Sequence, residues 1–226
     1  QTNEVQNVVL SHGHHDHIGA FAQILPLLST NPNIFVHKDA FLEERIHHFS
    51  DGREVPIPSL KMSSIDISKC NIKYVSDSTS FINNCSSTIT NIPRRTDFEK
   101  GMPSTYFRSE GQLFKDDIKD DQGIVVNIKD KGLVVISGCA HSGIINTILH
   151  AQAITGEKKI YGVIGGFHLT GPVFQKAKEN TIDAMMQFSP ALICPCHCTG
   201  HKAIQEFEKA FPDNFVLSSA GTRLLF

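Results

Sequence analysis

Residues 10–19 read Leu-Ser-His-Gly-His-His-Asp-His-Ile-Gly, so four imidazoles and one carboxylate fall within six positions. Divalent cations of borderline hardness take such N and O donors as ligands. The apolar run at residues 5–10 reads as a buried strand, and residues 18–28 read as a helix. The donors therefore occupy a strand-to-helix turn, where a rigid strand end can aim them. In that turn His12 and His14 reach one cation, while Asp16 and His17 reach a second. His15 is left to face solvent or a neighbour. A solvated histidine-rich surface loop is the competing interpretation. Glycines at 13 and 19, a strand in front and a helix behind weigh against it.

The same device recurs three times. An apolar strand at 132–136 leads into Ser137-Gly138-Cys139-Ala140-His141-Ser142-Gly143 and a helix at 144–154. Another apolar strand, starting at residue 160, ends in Gly165-Gly166-Phe167-His168-Leu169. A third, starting at 191, runs into Cys194-Pro195-Cys196-His197-Cys198-Thr199-Gly200, before a helix at 202–210. Repeated strand–His–helix units predict an α/β protein with its site at strand ends. A lone histidine at a strand end is more often structural. Three of them beside an incomplete ligand loop make His141 and His197 metal ligands. His168 reads either as a ligand or as a donor that orients substrate. The cysteines around His197 lack Cys-x-x-Cys spacing and a partner pair, so they read as small apolar side chains rather than a zinc finger.

Elsewhere the signals are weaker. A short strand is expected at 33–37, and Asp39 should cap a helix through His47, leaving His47 and His48 on the surface. Residues 50–70 read as loops and short edge strands, and 72–75 and 87–92 as strands. Pro93-Arg94-Arg95 fits a solvated turn and a forked phosphate clamp equally well. Residues 103–121 are polar, and 115–121 read as an exposed insert or a flap over the site. Strands at 123–128 and 132–136 join through a turn at 129–131, and strands at 215–218 and 223–226 close the chain.

With 226 residues, 40% of them hydrophobic, the chain has the material for one core-forming domain, 1–226. The balance of 21 basic and 23 acidic side chains gives no broad electrostatic case for nucleic acid. No apolar run is long enough to span a bilayer. Six unevenly spaced cysteines do not make a disulfide framework.

The run His-x-His-x-Asp-His resembles the signature of the metallo-β-lactamase fold superfamily. Taken with Ile92-Pro93-Arg94 to Phe98-Glu99, the His141 motif with Asn146, Gly165 to Leu169, His197 to Gly200 and Gly221-Thr222-Arg223, the chain is similar to one branch. That branch includes the dihydropterin–ribofuranosylaminobenzene phosphate synthase of methanopterin biosynthesis. The resemblance implies an αββα sandwich lacking its usual opening strands, as in an N-terminally truncated chain whose upstream signals are out of view. It places metal-type positions on His12, His14, Asp16, His17, His141, His168 and His197. One or two divalent ions follow, zinc first, with iron or manganese permitted by the same donors. The expected activity is a metal-dependent transferase joining a dihydropterin methyl diphosphate to an arylamine. Asp16 and His168 are its catalytic candidates and Arg94 and Arg95 its phosphate holders. A metallohydrolase of small phosphoesters or esters is the alternative, and a non-catalytic metal- or ligand-binding module the third. The expected partner is a small phosphorylated molecule, with no nucleic acid and no membrane, in the cytoplasm; oligomeric state stays open.

Overall fold

Residues 4–28, 31–82 and 85–226 are described by a computed structural model. The first apolar run gives strand β1 (Asn7–Val9), parallel to β2 (Asn33–Val36). Beyond β2 lies the parallel strand Asn71–Tyr74, β5 in chain order, which completes a three-stranded sheet. After β1 the expected single helix at 18–28 is broken into three pieces. These are α1 (His15–Ile18), α2 (Phe21–Ile24) and a 3-10 turn, Leu25–Leu27. Pro26, which has no N–H to continue an α-helical ladder, sits inside the turn. The apolar face survives the break, because Ile18, Phe21 and Leu25 pack with Leu10, Ile34 and Val36.

The second sheet has six strands. In chain order they are β6 (Ser80–Ile82), β7 (Ser86–Ile89), β10 (Gly123–Ile128), β11 (Gly132–Ser137), β12 (Ile160–Gly166) and β13 (Leu192–Cys196). Their spatial order is β13-β12-β11-β10-β7-β6. The β10–β11 hairpin turns through Asp130, which adopts φ +64°. Strands β11, β12 and β13 are parallel, so each connection needs a crossover. Helix α3 (Ile144–Thr155) makes the first and α4 (Gln175–Phe188) the second, with α5 (His201–Ala210) following β13. Leu133, Val134 and Val135 are buried in succession, as in a strand covered on both faces. The core of Leu133 and Val135 includes Ile144, Ile148, Met185, Ile193 and Phe207. The two sheets meet at Phe35 and Phe81, whose rings lie 5.3 Å apart. Helices on each outer side give the αββα layering.

A third, four-stranded antiparallel sheet departs from the sequence reading. In chain order it contains β3 (Arg45–His48), β4 (Glu54–Ile57), β8 (Thr105–Ser109) and β9 (Gln112–Lys115), arranged β4-β3-β8-β9. The helix expected through His47 is only a 3-10 turn, Lys38–Phe41, and its cap is His37, whose Nδ1 accepts from the Asp39 N–H. Residues 45–48 are a strand because they pair with β4 on one side and β8 on the other, and tertiary pairing overrides local propensity. The insert expected to be exposed at 115–121 is instead partly interior: Asp116, Asp120 and Asp121 are buried. The closing strands at 215–218 and 223–226 do not form. Phe215 makes a single bridge to Ile193, and the chain beyond it is irregular, with Leu225 fully exposed. Among the described residues no helix is long and apolar enough to cross a membrane.

Candidate metal centre

Two groups of donors meet at the strand ends. In the first, His12 Nε2 and His141 Nε2 are 3.1 Å apart, and the His14 ring lies 4.6 Å from that of His12 and 4.8 Å from that of His141. In the second, His17 Nε2 and His197 Nε2 are 3.0 Å apart, with Asp16 Oδ2 at 3.5 Å and 3.4 Å from them. His12 and His17 rings, 4.2 Å apart, join the groups. Neutral donors bound at about 2.0–2.1 Å around a tetrahedral cation sit roughly 3.4 Å from one another, close to these separations.

Local chemistry turns the donors inward. Ser11 Oγ lies 3.2 Å from His12 Nδ1 and 3.0 Å from His17 Nδ1. A hydroxyl oxygen can accept from both rings, which leaves each Nε2 lone pair facing the cluster. His14 Nε2 is buried without a hydrogen-bond partner. Burial, reinforced by neighbouring histidines, holds His12 and His141 well below the usual imidazole range. Burial and the Arg45 charge lower His14 to about 4, and burial also lowers His17. His14 Nε2 has no partner, and the other inward nitrogens meet only one another, Asp16 or Cys139. As neutral imidazoles they are ligand-competent at neutral pH, so these residues fit a divalent cation.

The buried aspartates hold this geometry. Asp120 accepts from the Gly13 N–H at 2.6 Å and from Arg45 Nη2 at 2.6 Å, while Arg45 Nε pairs with Asp116 at 2.8 Å. Asp121 accepts from the Ser142 N–H at 2.8 Å, beside His141; burial pushes its carboxyl up to about 6. One short segment thus grips both ligand loops. A side chain at Gly13 would strike the Ala40 carbonyl and the Arg45 guanidinium. Glu99 has a related task at the start of α3. It accepts from the Ile145 and Asn146 N–H groups, while Asn146 Oδ1 accepts from the Arg95 and Thr96 N–H groups. Burial raises Glu99 to about 7 against the pull of those donors.

A cavity of about 300 Å³ adjoins the first cluster, lined by His141 and His168, the apolar Phe98, Met102, Phe167 and Phe174, and Lys100 and Lys115. His168 adopts φ +46°, its ring stands 4.2 Å from that of His141, and its Nδ1 has no hydrogen-bond partner. Arg94 and Arg95 are exposed and do not line the cavity. The Arg94 guanidinium lies against Gly101, a lining residue, and donates to the Asp117 carbonyl at 2.6 Å. His47 is half-buried on β3, its Nδ1 3.3 Å from Ser104 Oγ.

Two cysteines join the histidines. Cys139 Sγ is 3.1 Å from His17 Nε2, and Cys139, His168 and Cys198 offer donor atoms within 4.8 Å of one another. A hydrogen bond between the thiols lowers Cys198 to about 5 and raises Cys139. Reading Cys198 as a small apolar filler missed this place; its signal was adjacency to His197, just as Cys139 lies two residues from His141.

No family model matches the chain. It is 29% identical over 227 residues to the 7,8-dihydropterin-6-methyl-4-(β-D-ribofuranosyl)-aminobenzene-5'-phosphate synthase of Methanocaldococcus jannaschii, covering 98% of this chain and 76% of that one. An uncharacterised protein of the same organism is 29% identical over 217 residues, covering 95% and 76%. A crystal structure described as a metal-dependent hydrolase of the β-lactamase superfamily superposes with a TM-score of 0.79 at 26% identity, covering 97% of this chain and 78% of that chain.

Proposed function

We propose, for a chain that has the metallo-β-lactamase fold and resembles the dihydropterin-linked synthase branch, a metal-dependent transfer onto an amine from a small phosphorylated substrate. The observation that carries this reading is the convergence of His12, His14, His17, His141 and His197 beside a cavity with aromatic walls and lysines. The first cluster would hold one cation through His12, His14 and His141, and the second another through Asp16, His17 and His197. Cations held there supply Lewis acidity toward phosphate oxygens and toward water.

The chain's own groups do the rest. Phe98 and Phe174 suit a flat ring, and His168, which lines the same cavity, would orient it. Lys100, with Arg94 beside Gly101 and Arg95 nearby in sequence, supplies positive charge for phosphate. As the amine nitrogen bonds to the methylene carbon, the carbon–oxygen bond to diphosphate breaks and the amine proton passes to solvent or to a carboxylate such as Asp16.

Hydrolysis is the second reading. Asp16 is 59% exposed, so water reaches the second cluster freely. Zinc-loaded protein given a dihydropterin methyl diphosphate separates the two. Diphosphate release that requires the arylamine supports transfer, release without it supports hydrolysis, and no release with either overturns both.

A further inference from the structure

We propose that Cys139 is a thiolate ligand shared by the two imidazole clusters, a donor that the histidine–aspartate motif does not contain. The inference rests on the metal reading above. Cys139 Sγ belongs with His12 and His141 in one set of donor atoms and with His17 and His197 in another, and within each set every donor lies within 4.8 Å of the others. Among the described residues no other side chain falls in both sets. The residue is only 3% exposed, so its sulfur faces protein rather than solvent.

The backbone puts it there. Ser137 closes β11 and donates to the Gly166 carbonyl at 2.8 Å, drawing β12 against this turn. A side chain at Gly166 would strike the Gly138 carbonyl and the Cys198 sulfur, so glycine is what lets the strands approach. Ala140 then adopts φ +54°, and Cys139 and His141, two residues apart, reach the same donor set.

Paired cations stand about 3.5–4 Å apart and repel, so a shared anionic donor between them is worth more than a terminal one. The motif's own carboxylate does not fill that place. Asp16 lies beside His17 and His197 and is mostly exposed. A buried sulfur next to both clusters does fill it. On binding, the thiol proton leaves to solvent and the cation takes its place. A thiolate also shifts preference toward zinc and away from manganese. Cys198 is different: it shares a donor set with Cys139 and His168 but with none of the five cluster histidines.

The test is to load the metal-stripped full chain with Co(II), measure bound cobalt, and record the near-ultraviolet thiolate-to-cobalt charge-transfer band. The band is expected in the wild type, retained in Cys198→Ser and lost in Cys139→Ser with circular dichroism unchanged. X-ray absorption of the zinc-loaded wild type needs no variant, and should show sulfur at about 2.3 Å. Cobalt bound with only N and O ligands overturns the Cys139 assignment while leaving the metal centre standing. A band lost in Cys198→Ser but kept in Cys139→Ser also overturns it. No cobalt bound at all overturns both.

Discussion

The two clusters, three histidines in one and two histidines with a carboxylate in the other, differ in their access to water. His12, His14 and His141 are 0%, 9% and 3% exposed, whereas the His197 and Asp16 side chains keep 41% and 59%. The first cluster is gripped from behind by Asp120, Asp121 and Arg45. The second leans on Ser11, Cys139 and its own members. Burial raises the cost of an unbound, charged imidazole and fixes geometry, while exposure allows exchange. On the metal reading, the first cluster would hold a cation more tightly and the second would exchange its cation more readily.

The largest effect should separate the two directly. His12→Ala with His14→Ala should remove the tightly held metal and abolish turnover, whereas His197→Ala should lose only the weaker equivalent, as read by elemental analysis after graded chelation. Equal loss of both metals in both variants would erase the contrast. The ligand substitutions remove buried rings, so thermal unfolding of the metal-free variants is the needed companion measurement.

Arg45→Met tests the grip behind the first cluster. It leaves Asp116 and Asp120 buried without their partner and should cost about 3–5 kcal/mol in denaturant unfolding. Metal affinity should fall at the first cluster more than at the second, because Asp120 also holds the Gly13 N–H.

Acid provides the third comparison, made on metal-free protein. His14 is lowered to about 4 in the fold, so above pH 6.5 both folded and unfolded chains carry it neutral and it contributes no pH dependence. As pH falls below 6.5 the unfolded chain takes up the proton and the folded chain does not. Stability is lost down to about pH 4, by up to about 3 kcal/mol from this group. Asp121, raised to about 6, has the opposite slope: the fold keeps its proton between pH 3.8 and 6, so it gains stability as pH falls through that window. Asp121→Asn should therefore steepen the acid loss. An unchanged unfolding-versus-pH curve in that variant would contradict the buried carboxyl's role.

The smallest effect is expected at the cavity rim. Arg94 is exposed, so Arg94→Ala should lower kcat/KM about tenfold, about 1.4 kcal/mol, with Lys rescuing poorly for want of the fork. A change within a factor of about three would make it a solvated turn residue.

The strand–His–helix units around His141, His168 and His197 were legible because each is local. In each an apolar run and a small-residue turn lie close together. The strands and the helices read at 144–154 and 202–210 appear in the fold, while α4 after His168 is added by the structure. The order of donors in residues 12–17 was equally local. What the sequence alone did not determine depends on partners far along the chain. Arg45–His48 reads as a helix end until β4 and β8 pair with it. The aspartates at 116, 120 and 121 read as solvated, because charge patterning cannot announce that Arg45, 75 residues before Asp120, is buried against them. Cys198 passes as a small apolar residue, and Cys139 draws no reading of its own, until parallel strands bring their turns together. The sequence by itself determined which donors exist and that strand ends present them. Only the tertiary structure decided which are buried, which face each other and what holds them, because burial and long-range pairing are properties of packed elements and not of neighbouring residues.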